Sequence, residues 1–194
     1  MSQRVATAAL SLLTATLLAL HAAWAQQGQE PDPRLRQALL EAVEAGDSFE
    51  NRFVAQVWLL DMSQRLSDRV PDPKKRLQLL RKIHQEARLA DLEPELVLAV
   101  IEVESNFDRF AISPAGARGL MQIMPFWLEE IGRPEDNLFS VRTNLRFGCT
   151  ILRHYLDMEN GNLTRALARY NGSLGQTWYP DRVYRAWNRH WYAH

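Results

Sequence analysis

With 194 residues, 46% of them hydrophobic and 24% charged, the chain has an ordinary globular composition and room for one compact domain with an extension. Its 23 basic and 23 acidic residues cancel, which excludes the basic footprint of a nucleic-acid-binding protein. The single cysteine, Cys149, excludes any internal disulfide. It lies in Leu145-x-x-Gly148-Cys149-x-x-Leu152, the spacing of a small buried hydrophobe rather than of a reactive thiol.

The first predicted element is a targeting segment. Arg4 precedes a mostly apolar run from Val5 to Leu20, and Ala23-Trp24-Ala25 fits small-x-small cleavage with Gln26 as the new first residue. The run is short for a retained membrane anchor, and no cysteine follows it for lipid attachment. The expectation is a signal peptide over 1–25, export to a bacterial periplasm, and no stable membrane span after cleavage.

Residues 26–90 read as a polar linker and a helical extension. Leu35, Ala38, Leu39, Ala42 and Val43 form the stripe of a helix beginning near Arg34 and ended by Gly46. Val54, Trp58, Met62 and Leu66 recur at steps of four in a second helix. Val70-Pro71-Asp72-Pro73 breaks it, and Asp72 is placed to cap a third helix with Leu77, Leu80, His84 and Ala87 on one face. Such stripes need a surface to bury against. The expected role is structural, with docking of a partner as the alternative.

Residues 91–194 form the second predicted region. Pro94 suits the first turn of a helix. Val97, Val100 and Ile101 lie seven, four and three residues before Glu104, which places Glu104 on their apolar face and turns Glu102 toward water. Apolar walls disfavour a charged carboxylate, so the Glu104 pKa is expected to rise into the range a general acid needs. From Glu104 alone a capping or surface role is the commoner alternative.

After an irregular segment, Gly119 is expected to start a helical piece reaching about Ile131 and closed by Gly132 and Pro134. Val141 to Met158 reads as a long helix with Val141, Leu145, Cys149, Leu152 and Leu156 inward. A turn at Asn160-Gly161-Asn162 leads into a short helix from Leu163 to Tyr170, and Pro180 begins a last helix with Val183, Trp187 and Trp191 at steps of four. No stretch keeps a period of two, so the class is all-α.

Three motifs carry a family resemblance. The run Glu104-Ser105, with Ser113-Pro114-x-Gly116-Ala117-x-Gly119-Leu120-Met121-Gln122-Ile123-Met124-Pro125, closely resembles the lytic transglycosylases of the soluble, lysozyme-like type. Ala168-Arg169-Tyr170-Asn171-Gly172-Ser173 resembles that family's Ala-Tyr-Asn-Ala-Gly element, and Thr177-Trp178-Tyr179-Pro180-Asp181-Arg182-Val183 its Tyr-Val-x-x-Val segment. The resemblance implies a lysozyme-like catalytic domain that takes peptidoglycan glycan strands. In that family one Glu performs both proton transfers, protonating the glycosidic oxygen and then receiving the proton of the sugar's own 6-hydroxyl as a 1,6-anhydro ring closes. The resemblance assigns this role to Glu104.

It also assigns substrate contacts to Ser113 and Gln122, groove-lining to Met121 and Met124, an orienting hydroxyl near Glu104 to Tyr170, a substrate or turn role to Asn171, and the groove wall to Tyr179. Arg169, Ser173 and Gln176 depart from the usual family pattern, which bears on substrate fit more than on catalysis. The aromatic tail could stack on sugars, but Trp187 and Trp191 have core spacing.

No cofactor is implied. The histidines have no metal-ligand spacing apart from an i, i+4 pair, His190 and His194, without a third ligand. No glycine-rich phosphate loop occurs. Cell-wall or secretion-machinery proteins are candidate partners. A goose-type-like lysozyme using water and a non-enzymatic peptidoglycan-binding or assembly protein are the alternative readings.

Overall fold

The computed structural model describes residues 52–192. The predicted signal peptide, the linker, the helix near Arg34 and His194 lie outside them. Within them the chain forms α1 (Arg52–Arg65), α2 (Pro73–Leu89), α3 (Pro94–Ser105), α4 (Phe126–Ile131), α5 (Val141–Met158), α6 (Leu163–Tyr170) and α7 (Trp178–Ala186), then a turn of π-helix over Trp187–Trp191. Two isolated bridges, joining Arg118 to Ile112 and to Ile123, are the sole β pairing among the described residues, so the all-α class holds there.

The fold is built round α3. Leu96, Val97, Leu98, Ala99, Val100 and Ile101 are all buried, and a helix that is apolar on every side is a core helix. It packs against α2, α7 and the π-helix, while α5 packs against α2 and α6. Pro94 occupies the first turn as expected.

Met62 on α1 and Leu66 just past its end are fully buried, joined by Leu59. Asp72 caps α2 as predicted, its Oδ1 accepting from the backbone N–H groups of Lys74 at 2.9 Å and Lys75 at 3.0 Å. The buried stripe of α2 is Leu80, Ile83, Glu86 and Ala87; Leu77 stands 36% exposed, contrary to the predicted face. The stripe runs back to Arg76 instead. That side chain closes the α1–α2 turn, donating to Ser63 Oγ at 2.9 Å and to the carbonyls of Val70 at 2.7 Å and Pro71 at 3.1 Å.

The bounds of α5 and α6 match the predicted ones. Leu145, Cys149 and Leu152 are buried, and burial pushes the Cys149 thiol far above its ordinary pKa, so it is an inert core group. The turn before α6 is closed by Gly161 in the left-handed region and by Asn162, whose Oδ1 accepts from Arg165 N–H at 3.1 Å. Pro180 lies inside the first turn of α7 rather than at its start, and Trp191 is fully buried while Trp187 is half-buried.

One predicted element starts later than expected, though it ends at Ile131 and Gly132 as predicted. Residues 119–125 are not helical, and α4 starts only at Phe126. Gly119 and Gln122 have φ of +77° and +50°, which no right-handed helix accommodates. Arg118 instead exchanges both backbone hydrogen bonds with Ile123, at 2.9 and 3.0 Å, making a tight folded loop.

Candidate active site

The end of α3 sets the site. Two consecutive left-handed residues, Asn106 at φ +48° and Phe107 at φ +67°, stop the helix just past Glu104 and turn the chain away. Asn tolerates this conformation as a helix terminator, but Phe does not adopt it cheaply. Burial holds Phe107 there, with its ring centroid 5.4 Å from that of Trp191.

Glu104 is part-buried, on the apolar side that its spacing predicts. Its Oε1 accepts the hydroxyl hydrogen of Tyr179 at 2.6 Å. Loss of water raises the Glu104 pKa from the ordinary 4.5 to about 7, against the downward pulls of the Tyr179 bond and the Arg182 charge. Burial raises the Tyr179 and Tyr170 hydroxyls well above their usual pKa, and the Glu104 charge adds to the effect. Both therefore stay protonated and can only donate toward a carboxylate.

Tyr179 makes the hydrogen bond to Glu104 that was expected of Tyr170, although the Glu104 charge also acts on Tyr170. Tyr170 donates to the Met121 carbonyl at 2.8 Å and does not hydrogen-bond Glu104. Tyr179, expected as groove wall, is 1% exposed and is the residue that holds Glu104. The cause is the helix each rides on: α7 packs directly against α3, whereas α6 packs on α5 and α7.

Glu102 also departs from expectation. It does not face water: its side chain is 15% exposed and accepts from Trp191 Nε1 at 2.7 Å, lies 2.9 Å from His190 Nδ1, and pairs with Arg69 at 3.0 Å. This carboxylate latches the C-terminal π-helix to α3. Glu102→Gln is therefore expected to lower stability by about 1–2 kcal/mol through weakened charge-assisted bonds, with little change in any turnover that Glu104 supports. Denaturant titration alongside an activity assay checks it, and loss of turnover without loss of stability would reverse the assignment.

Around Glu104 the loop 118–123 is fixed from four directions. The Ser105 hydroxyl donates to Leu120 O at 2.8 Å. Asn144, 1% exposed on α5, donates to Arg118 O at 2.8 Å and Leu138 O at 2.9 Å, and accepts from Met121 N–H at 2.7 Å. Tyr170 takes the Met121 carbonyl. Gly148 on α5 makes room for Met121, since a Cβ there would lie 2.4 Å from the Met121 sulfur.

The predicted substrate-contact residues scatter accordingly. Met121 is fully buried, a core residue rather than a groove lining, while Met124 is part-buried against the core. Ser113 closes its own turn, its Oγ accepting from Ala117 N–H at 3.0 Å. The Gln122 amide donates to Gly119 O at 2.9 Å and Ala111 O at 3.2 Å, which braces the loop. Asn171 is the exposed C-cap of α6 with ordinary helical φ, and the neighbouring Gly172 takes the positive φ. Only Tyr179, among the seven contact residues predicted beside Glu104, hydrogen-bonds it among the described residues.

The departures from the family pattern have local reasons. Arg169 and Arg165 grip the Glu159 carboxylate where α5 meets α6. Ser173 ends α6 through its N–H on Ala168 O at 2.7 Å. Gln176 accepts from Trp178 Nε1 at 2.9 Å and steadies that ring, which is 46% exposed beside Tyr179.

Sequence reasoning missed Asn144 and Arg182. The first has a signal, a lone amide within the buried stretch Asn144–Leu152 of α5; the second, one exposed Arg among many, has none. Among the described residues no three His, Cys, Asp or Glu side chains are placed to hold a metal, and no helix is long and apolar enough to cross a membrane.

Comparison with known proteins gives a consistent result. The family model described as "Transglycosylase SLT domain" matches residues 81–188. The "Transglycosylase" of Enterobacteria phage PRD1 is 34% identical over 100 residues, covering 48% of this chain and 37% of that protein. The "Membrane-bound lytic murein transglycosylase C" of Actinobacillus pleuropneumoniae serotype 5b (strain L20) is 47% identical over 49 residues, 25% of this chain and 13% of that one. The crystal structure of the 70 kDa soluble lytic transglycosylase of Escherichia coli aligns with a TM-score of 0.43 at 23% identity, over 70% of this chain and 22% of that one. The chain thus spans 37% or less of the length of these curated relatives. Because the family model matches more than half of its residues, the chain belongs to the Transglycosylase SLT domain family.

Proposed function

We propose that this protein is a peptidoglycan lytic transglycosylase that cleaves the β-1,4 bond between N-acetylmuramic acid and N-acetylglucosamine without water. The observation that carries the reading is the desolvated carboxyl of Glu104, with a pKa of about 7 and a tyrosine donor fixed on one oxygen. Near neutral pH such a group holds its proton long enough to give it away and can take one back.

The neighbouring carboxylates are occupied. Glu102 is bound by Arg69, His190 and Trp191, and exposed Asp108 accepts from Phe110 N–H at 2.8 Å. Most glycoside hydrolases need a second carboxylate as base or nucleophile. A mechanism in which the substrate supplies its own nucleophile needs only one.

Glu104 gives its proton to the glycosidic oxygen as the bond to the muramic C1 breaks. The Tyr179 hydroxyl then stabilises the carboxylate left behind. That carboxylate takes the proton of the same sugar's 6-hydroxyl while the oxygen bonds to C1. Atoms balance without water, and Glu104 ends as it began. The relatives named as murein transglycosylases support the substrate class. Cleavage of the leader and export to the periplasm complete the reading.

Mass spectrometry of muropeptides released from purified peptidoglycan tests it. Anhydro-muramyl ends, one water lighter than reducing ends, are the expected product; reducing ends would make the protein a hydrolase.

Tyr179→Phe gives a second test. Removing the donor withdraws a hydrogen bond that lowers the Glu104 pKa, so that pKa rises further. Because the protonated form starts the reaction, the alkaline limb of the kcat/KM profile is expected to move to higher pH, with about a tenfold loss at the optimum from the unstabilised carboxylate. An unmoved limb would remove Tyr179 from the mechanism.

A further inference from the structure

A concavity that Glu104 does not line lies on the loop that Ser105 holds. It has a volume of about 220 Å³ and lies between α2, the segment after α3 and the start of α5. Leu120 lines it, and the Leu120 carbonyl is the acceptor of the Ser105 hydroxyl. Its walls are mainly apolar, with Phe107 and Leu120 on the side of the active-site loop.

The polar part of the lining is of one sign. Lys75 and Lys82 reach it from α2 with Gln78 between them, and Arg109 reaches it from the loop; no carboxylate lines it. Residues 75, 78 and 82 are three and four apart, which places them on one helix face. Among the described residues none of the three cations is in an ion pair. Asp72 feels the Lys75 charge, but its Oδ1 is committed to capping α2. The Arg109 guanidinium lies over the Phe110 ring at 4.5 Å, which restricts it. Asp72 thus offsets part of the Lys75 charge, and three cations against one carboxylate leave the rim of the apolar recess net positive. An anion there would meet that charge.

We propose that this pocket is a binding site for an organic carboxylate with a short apolar body, its charge held by Lys75, Lys82 and Arg109 and its apolar part set on Val70, Leu79 and Val141. Inorganic phosphate fits less well, because it would leave the apolar walls in contact with water. Two sources share the chemistry: the free C-terminus of a short peptide and a small free fatty acid. The inference does not rest on glycan cleavage, and its probes contain no sugar.

The test is a ¹H–¹⁵N NMR titration of the full chain with N-acetyl-D-alanyl-D-alanine, its C-terminal amide, octanoate and inorganic phosphate. Saturable shifts are expected at Gln78, Leu79 and Val141, with a Kd on the order of 1 mM. Amidation of the peptide should weaken binding roughly tenfold or more, as should the double variant Lys75→Gln/Lys82→Gln, because a charge-assisted contact is lost in each. Both lysines are exposed, so the fold should survive their replacement. Saturation by the peptide supports a peptide source, and saturation by octanoate alone supports a free acid. No saturation by either carboxylate, undiminished binding in the double variant, or phosphate binding as tight as the carboxylates would each overturn the proposal.

Discussion

Glu104→Gln is expected to abolish cleavage, a loss on the order of 10³-fold or more, because the amide can neither give the first proton nor take the second. The variant keeps the shape of the side chain and leaves an amide oxygen for the Tyr179 hydroxyl. It is also expected to be more stable than the parent in one pH range, and the sign follows from the raised pKa. Below pH 4.5 the carboxyl is protonated in both folded and unfolded chains and costs nothing extra. Between 4.5 and about 7 the unfolded chain releases the proton while the folded one retains it, so rising pH favours unfolding. Above about 7 the cost is complete. Gln never ionises, so its advantage grows through that window and reaches roughly 1–3 kcal/mol near pH 8. Urea titrations near pH 5 and pH 8, beside the muropeptide assay, read both effects. Residual cleavage at the parent rate would remove Glu104 from the chemistry. An inactive variant with no pH-dependent gain would mean that the carboxyl is not desolvated.

The position of Glu104 was legible because helix periodicity is local. Three apolar residues at the right offsets are enough to place a side chain on a face, and burial of Val97, Val100 and Ile101 follows from the same count. The bounds of α5 and α6 were legible for a similar reason: each carries its own apolar period, and the Asn160-Gly161-Asn162 turn separates them. What failed was long-range. Whether Tyr170 or Tyr179 reaches Glu104 depends on which helix lies beside α3, and no spacing within either motif encodes that. Glu102 looked like a surface residue because its partners, His190 and Trp191, lie 88 and 89 residues away in sequence. The segment from Gly119 failed for a backbone reason. Its residue types suit a helix, but Gln122 takes a left-handed conformation that tertiary bonds from Asn144, Tyr170 and Ser105 impose on the loop.

Arg146→Met is expected to cost about 3–5 kcal/mol of stability, a large effect for a change away from Glu104. Glu86 on α2 is 2% exposed and faces Arg146 on α5, 7% exposed. Two parallel bonds join them, Nε to Oε2 at 3.0 Å and Nη2 to Oε1 at 2.9 Å. Burial pushes the Glu86 carboxyl above its usual pKa, and the Arg146 bonds pull it back. Without Arg146 the carboxylate would be buried with only Arg142 nearby, at 3.7 Å and on a largely exposed side chain. The deficit should therefore shrink on acidification, as protonation removes the unpaired charge. The double variant Glu86→Leu/Arg146→Met should recover most of the loss, since an apolar pair of similar size needs no compensation. Function should follow stability, because α5 also carries the Asn144 that holds the Met121 loop beside Glu104. In the single variant, activity should fall at temperatures where the parent is still folded and return in the double variant. Urea titrations of the three proteins at two pH values, with activity measured on the same samples, decide it. A cost under about 1 kcal/mol for the single change, or no recovery in the double, would show that the α2–α5 contact rests on its apolar neighbours and not on this pair.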